Sequence, residues 1–275
     1  MPELPEVATV LKQITPAILN QKIADVTVMP KGERMVAPLK PSKLKQELTG
    51  KTITSINRHG KFMIFELDNG KKIVAHLRMS GRMLISDKPL KHLHNRLYLK
   101  FENGKYLNFI DIRRFGTFHL VEKGKTYSGV ANLGPDALSG ELTAAYLKAK
   151  LKDRSKNIYS SLLDQSIIAG LGNIYVNEVL YSCKIHPKRY AGKVNLNEIK
   201  LILEQVERIL NMAINYRGTT LIDKSYADTE GLYGDFFDML KVYGKKDTAC
   251  ERCGTLITKI RISNRGVYLC ETCAN

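Results

Sequence analysis

No stretch of this 275-residue sequence approaches the roughly 18 consecutive apolar residues that a membrane-spanning helix needs, which excludes an anchor of that kind. The opening MPELPEVATV has neither a basic n-region nor an apolar h-region, so the cytoplasm is the expected compartment. Acidic side chains are also scarce: 27 Asp and Glu face 43 Lys and Arg, a net charge of +16. That excess is more than solubility requires and suits a polyanion, nucleic acid ahead of an acidic membrane. Internal repeats and low-complexity tails are missing. The 44% hydrophobic content supports at least one sizeable core, in one large domain or two smaller ones.

Cysteine does not occur before Cys183, and four of the five lie in the last 26 residues as Cys250-x2-Cys253 and Cys270-x2-Cys273. Each pair places two thiolates on one side of a tight knuckle, and two pairs complete a tetrahedral S4 set that suits one structural zinc ion. Two disulfides are the alternative, disfavoured because nothing in the sequence points to secretion. Cys183 reads as a partly buried structural thiol in a helix.

Along the chain, Pro5 suits a first helical turn, and Val7, Val10, Leu11 and Ile14 follow at three- and four-residue spacing, giving a helix with one apolar face. From Ile23 to about Val121 the pattern changes to short alternating or β-branched runs, among them FMIFEL (62–67), KIVAHL (72–77), RLYLKF (96–101) and YLNFI (106–110). Asp68-Asn69-Gly70 and Glu102-Asn103-Gly104 supply turns between them. This half reads as a β-sandwich behind a leading helix. The Gly- and Pro-bearing stretch 124–136 is the best linker, and helical periodicity follows near 141–152, 157–165, 173–183 and 195–216. The last 31 residues, from Lys245, are too few for a core of their own, and the zinc would supply the missing stability. The fold class expected is α+β, with an N-terminal helix and β-sandwich (1–130), a helical segment (131–235) and a zinc ribbon (236–275).

PELPEV at the start, HLRMSG at 76–81, DIRRFG at 111–116, AGLGNIYVNEVL at 169–180 and the terminal CxxC pairs together resemble the formamidopyrimidine-DNA glycosylase family, end to end. The resemblance implies a bifunctional DNA glycosylase and AP lyase of base excision repair. Its substrate would be duplex DNA carrying an oxidised purine (8-oxoguanine or a formamidopyrimidine) or an abasic site. It also implies a monomer acting on the bacterial nucleoid.

Residue by residue, the resemblance makes Pro2 the nucleophile once Met1 is removed. When a secondary amine attacks C1′ and the sugar ring opens, the product is an iminium ion that stays cationic at every pH and draws electrons for β,δ-elimination. Glu3 would shuttle protons at the opened sugar, although a carboxylate at a helix N-terminus is stabilised by the dipole in any case; Glu6 shares that ambiguity. Lys61 matches the catalytic-domain lysine at the lesion or its phosphate, where residue type alone reads a solvated hairpin lysine. Lys61 and Arg265 stand with Glu3 as proton-donor candidates. His76 and His94 match DNA contacts, His76 on phosphate. Met79, Arg113 and Phe115 match the set that fills the space of an extruded base; by residue type alone Met79 and Phe115 read as core. Arg114 is a plausible phosphate ligand.

Asn173 follows the turn Gly170-Leu171-Gly172 and matches the phosphate contact of a helix-two-turns-helix motif, where an ordinary helix hairpin is the plainer alternative. Arg265, expected at a hairpin tip Asn264-Arg265-Gly266, matches the finger arginine. Gly218 to Gly234 resembles a loop covering the flipped base. The chain departs from the family at Ala8, Leu93, Tyr159, Asn264 and Val267, which puts lesion preference and some phosphate grip in question. Two other readings stay open. One is an endonuclease VIII-like enzyme for oxidised pyrimidines, against which Leu4 argues; the other is a non-catalytic binder of damaged DNA.

Overall fold

A computed structural model describes residues 1–220, 229, 232 and 234–275. The chain packs as two compact units, one of 1–131 with 216–235 and the other of 132–215 with 236–275. The described residues among 216–235 fall in the first unit, and the cysteine-bearing end falls with the helices of the second.

The first unit opens on α1 (Leu4–Ile18). Glu3 is its N-cap in a reciprocal capping box with Glu6, and Pro5 sits where no helical N–H is required. The spacing of Val7, Val10, Leu11, Ile14 and Ile18 gives α1 a stripe that is buried along its length. Eight strands follow: β1 (Ile23–Val28), β2 (Ile53–His59), β3 (Phe62–Leu67), β4 (Lys72–His76), β5 (Gly81–Ser86), β6 (Asn95–Phe101), β7 (Tyr106–Asp111) and β8 (Thr117–Val121). They form two antiparallel sheets, ordered β1-β6-β7-β5 and β2-β3-β4-β8. The core joins the α1 stripe to alternate residues of both sheets, among them Met63 and Phe65 of β3, Leu99 and Phe101 of β6, Leu107 and Phe109 of β7, and Phe118 of β8. Each such aromatic contributes on the order of 2–3 kcal/mol by leaving water.

The expected sandwich behind a leading helix is borne out, with one correction. Between β1 and β2 the chain forms α2 (Glu33–Val36) and α3 (Pro41–Leu48) rather than strand and turn. Pro41 starts α3, and Leu44 and Leu48, one helical turn apart, are its buried pair.

The stretch expected as linker contains α4 (Ser128–Ala131). The second unit comprises α5 (Ala144–Leu151), α6 (Ile158–Leu162), α7 (Asn173–Cys183), α8 (Leu196–Asn215) and a hairpin of β9 (Thr258–Ile262) and β10 (Arg265–Leu269). Thr143 and Asn157 cap α5 and α6 through their side chains. The hairpin turn is Ser263-Asn264, both at positive φ (47° and 62°), with Arg265 paired to Ile262. Arg265 is thus the first residue of β10 and not the tip itself, because a two-residue turn with positive φ at both positions matches the twist of its strands. No helix among the described residues is long and apolar enough to cross a membrane.

Candidate active site and DNA interface

Pro2 and Glu3 lie buried at the start of α1, which packs on β2 and β3. The Glu3 main-chain N–H donates to Glu6 Oε2 at 2.7 Å, and the Thr219 N–H donates to Glu6 Oε1 at 2.8 Å. Glu6 therefore ties the helix start to the beginning of the segment expected as a lid. Gly218 sits beside it at φ +81°, where a Cβ would come within 2.7 Å of Glu6 Oε1. Most of that segment, Tyr233 included, lies outside the described residues.

Lys61 occupies the two-residue turn between β2 and β3, yet only 7% of it is exposed. The solvated-lysine reading fails here. His76 ends β4 opposite Phe62, whose ring meets the imidazole edge-on at 4.6 Å. Burial, then the charges of Arg78 and Lys61, push His76 down to about 3. The Arg78 N–H donates to His76 Nδ1 at 2.9 Å, so the neutral ring carries its proton on Nε2 and presents a donor there. Lys61 and His76 are thus brought together as a buried cation and a neutral donor.

Met79 and Phe115 are 36% and 43% exposed, and Arg113 and Arg114 are exposed beside them. They occupy the β4–β5 and β7–β8 connections, joined by one buried carboxylate. Asp111 Oδ1 accepts from Ser80 Oγ at 2.6 Å and from the Arg113 N–H at 3.2 Å, and its Oδ2 accepts from the Gly116 N–H at 2.7 Å. The Arg113 N–H also donates to Ser80 Oγ at 3.0 Å, and its guanidinium lies 5.0 Å over the Phe115 ring. The core reading of Met79 and Phe115 is overturned, since their loops are held outward by Asp111. Asp111 and Ser80 escaped the sequence reading although they stand inside DIRRFG and HLRMSG.

His94 lies near His92, and Arg96 Nη2 meets its Nδ1 at 3.0 Å. Together with Lys31, Lys91, Arg114 and the 85%-exposed Leu93, they line an open cavity of about 550 Å³. His94 and Arg114 share this basic recess.

In the second unit Gln165 shapes the glycine turn: its Oε1 accepts from the Gly170 N–H at 3.0 Å and its Nε2 donates to Leu171 O at 2.8 Å. Gly170, at φ 109°, lets the chain turn into α7. Asn173 Nδ2 points to Gly266 O at 3.4 Å, so α7's first residue is brought beside the hairpin carrying the exposed Arg265. Tyr159 is fully buried, and its hydroxyl donates to Asn173 Oδ1 at 2.5 Å.

The thiols of Cys250, Cys253, Cys270 and Cys273 lie within 4.8 Å of one another and none is in a disulfide. The closest separations, 3.4, 3.5 and 4.0 Å, bracket the ~3.8 Å edge of a tetrahedron with Zn–S bonds of about 2.3 Å. The residues fit one structural zinc ion. The Tyr181 hydroxyl lies 3.3 Å from Cys250 Sγ, and the Arg252 guanidinium covers the Tyr181 ring at 4.2 Å. Cys183, buried at the end of α7, takes no part in the cluster. Burial pushes its thiol up to about 12.

Three family models match in succession: the formamidopyrimidine-DNA glycosylase N-terminal domain over residues 1–118, the H2TH domain of the same enzymes over 133–225, and a zinc finger found in FPG and IleRS over 249–275. The chain belongs to the formamidopyrimidine-DNA glycosylase family. A formamidopyrimidine-DNA glycosylase of Bacillus cereus is 39% identical over 279 residues, covering 99% of each chain. Among solved structures, a mutant Lactococcus lactis FPG in complex with Fapy-dG containing DNA superposes with a TM-score of 0.90, at 36% identity over 100% of both chains. MutM in complex with carbocyclic 8-oxo-G containing DNA matches with a TM-score of 0.88, at 36% identity and the same full coverage.

Proposed function

We propose that this family member excises oxidised purines from duplex DNA and then cleaves the strand at the resulting abasic site, with Pro2 as its nucleophile. The observation that carries the reading is the clamp at Asp111. It holds two large apolar side chains, Met79 and Phe115, in solvent beside Arg113, an arrangement without value to an unliganded core. Such a set fits a duplex whose lesion has been extruded. Phe115 wedges between base pairs, Met79 fills the vacated space, and Arg113 hydrogen-bonds the orphaned partner base, offsetting an unstacking cost of a few kcal/mol.

Pro2, freed of Met1, attacks C1′; the C1′–N bond to the base breaks, and the base leaves with a proton. The C1′–O4′ bond then opens as O4′ takes a proton, and the iminium ion so formed withdraws electrons, so that loss of a C2′ proton expels the 3′ phosphate and a second elimination expels the 5′ phosphate. Glu3, at the adjoining position, is the group assigned to proton transfer at the sugar, with Lys61 and Arg265 as further donor candidates. Lys61 and the neutral His76 hold the phosphates flanking the lesion. Arg114 and His94 hold backbone further along, and Asn173 with Arg265 supplies the grip of the second unit. All of these residues lie on a single chain acting in the bacterial cytoplasm, and the scheme needs no second subunit.

Borohydride reduction in the presence of duplexes carrying 8-oxoguanine, a formamidopyrimidine or an oxidised pyrimidine tests the reading directly. The mature protein should form a covalent adduct and release the two purine lesions fastest, and Pro2→Gly should abolish excision. Wild-type base release by Pro2→Gly would overturn the nucleophile. Preference for the pyrimidine would move the enzyme to the endonuclease VIII kind, and binding without adduct would make it a non-catalytic binder.

A further inference from the structure

The hydrogen bonds around Asn173 have a direction that can be traced from one end. The main-chain N–H of Tyr268 in β10 can only donate, and it reaches Asn177 Oδ1 at 2.6 Å. The amide of Asn177 is thereby turned with Nδ2 toward the start of α7. There it donates to Asn173 O at 2.6 Å and to Asn173 Oδ1 at 3.1 Å. The Tyr159 hydroxyl donates to that same Oδ1 at 2.5 Å. Both lone pairs of Asn173 Oδ1 are then engaged, which leaves its Nδ2 on the opposite side, 3.4 Å from Gly266 O and next in sequence to Arg265. Tyr159 and Asn177 are buried at 0% and 1% exposure, so water is not at hand to replace either donor.

We infer that Tyr159 and Asn177 are positioning residues for DNA: together they lock the Asn173 amide so that one Nδ2 N–H couples it to the finger hairpin and the other is presented to a phosphate. The inference rests on the reading of Asn173 as a phosphate contact. It also gives Tyr159 a role where the family that the chain resembles has a basic residue. A cation there adds charge, whereas a buried hydroxyl adds only direction. Removing it should therefore weaken binding without altering how binding responds to salt.

Duplex DNA with a tetrahydrofuran abasic analogue serves as the probe, with Tyr159→Phe, Asn173→Ala and the double variant compared in the full zinc-loaded chain. Tyr159→Phe should raise Kd about three- to tenfold, leave kcat for 8-oxoguanine release unchanged and keep the wild-type salt slope. Asn173→Ala should weaken binding at least as much, and the double variant no more than Asn173→Ala alone. Asn177→Leu, which removes the donor without adding charge, should repeat the Tyr159→Phe loss, and wild-type affinity in it overturns the role of Asn177. Wild-type affinity in Tyr159→Phe beside a weakened Asn173→Ala overturns the positioning role alone. The same holds for a Tyr159→Phe penalty that persists undiminished in the Asn173→Ala background, or for a changed salt slope. Wild-type affinity in Asn173→Ala overturns the phosphate role of Asn173, and the inference with it.

Discussion

At the scale of single residues, the site depends on polar groups whose partners are far apart in sequence. Asp111 is fully buried and accepts from Ser80, Arg113 and Gly116. Asp111→Asn keeps the volume but sets an amide N–H₂ against a donor, which leaves a buried group unsatisfied and should cost about 1–3 kcal/mol of stability. Because the loops bearing Met79 and Phe115 then lose their common anchor, kcat/KM for 8-oxoguanine excision should fall by more than the stability loss explains at temperatures where the variant is fully folded. Kinetics on the folded variant checks this, and unchanged kcat/KM would show that the loops hold without the clamp. His76 makes a second prediction. Burial holds it at about 3 in the folded state against 6.5 for the ordinary imidazole, so the unfolded chain binds the extra proton between those values. Its contribution is neutral above pH 6.5, and stability is lost as pH falls below that. From pH 6.5 to 5 the loss assigned to this one group is roughly 1.5 kcal/mol. Urea unfolding of wild type and His76→Asn across that window should show the variant losing less by that amount, and parallel curves would refute a buried neutral His76.

Secondary-structure elements are joined in the second unit by Glu178 of α7. Its Oε2 accepts from the Lys241 N–H at 2.8 Å, and its Oε1 from the N–H groups of Val242 and Tyr243 at 3.0 and 2.8 Å. Burial raises its pKa while the three N–H groups pull it back down. Glu178→Gln turns one acceptor into a donor facing those N–H groups and should cost about 2–4 kcal/mol, read as a lowered Tm and faster loss of zinc to a chelator. Much at this scale was legible beforehand. Period-two runs such as FMIFEL and YLNFI are strands because one face of each meets the core, and the CxxC pairs announced their cluster through spacing alone. The helix α3 was not legible, because its apolar signal is only Leu44 and Leu48. The Asp111 clamp and the Tyr159–Asn173–Asn177 chain were hidden for another reason. A buried carboxylate or hydroxyl looks like a surface residue until the pairing of distant strands or helices shows which donors surround it. Lys61 misled for the same reason, since a lysine in a hairpin turn is ordinarily solvated.

For the whole molecule the dominant quantity is its +16 charge. Each phosphate neutralised releases a condensed counterion, so the logarithm of affinity should fall against the logarithm of salt with a slope of about −0.9 per contact. On the proposed reading, in which Lys61, Arg114, Arg265 and further lysines engage phosphates, a slope steeper than about −4 is expected for any duplex, damaged or not. Charge and wedge should separate cleanly in this measurement. Arg265→Ala, which removes an exposed cation from the finger hairpin, should make the slope shallower by about 1 and weaken lesion and undamaged DNA alike. Phe115→Ala removes no charge, so it should leave the slope where it was and take away affinity only for duplexes whose base can be extruded. Titrations at four salt concentrations on both duplexes decide the matter. A Phe115→Ala loss shared equally by undamaged DNA would mean that the exposed ring grips the backbone and does not fill an opened stack.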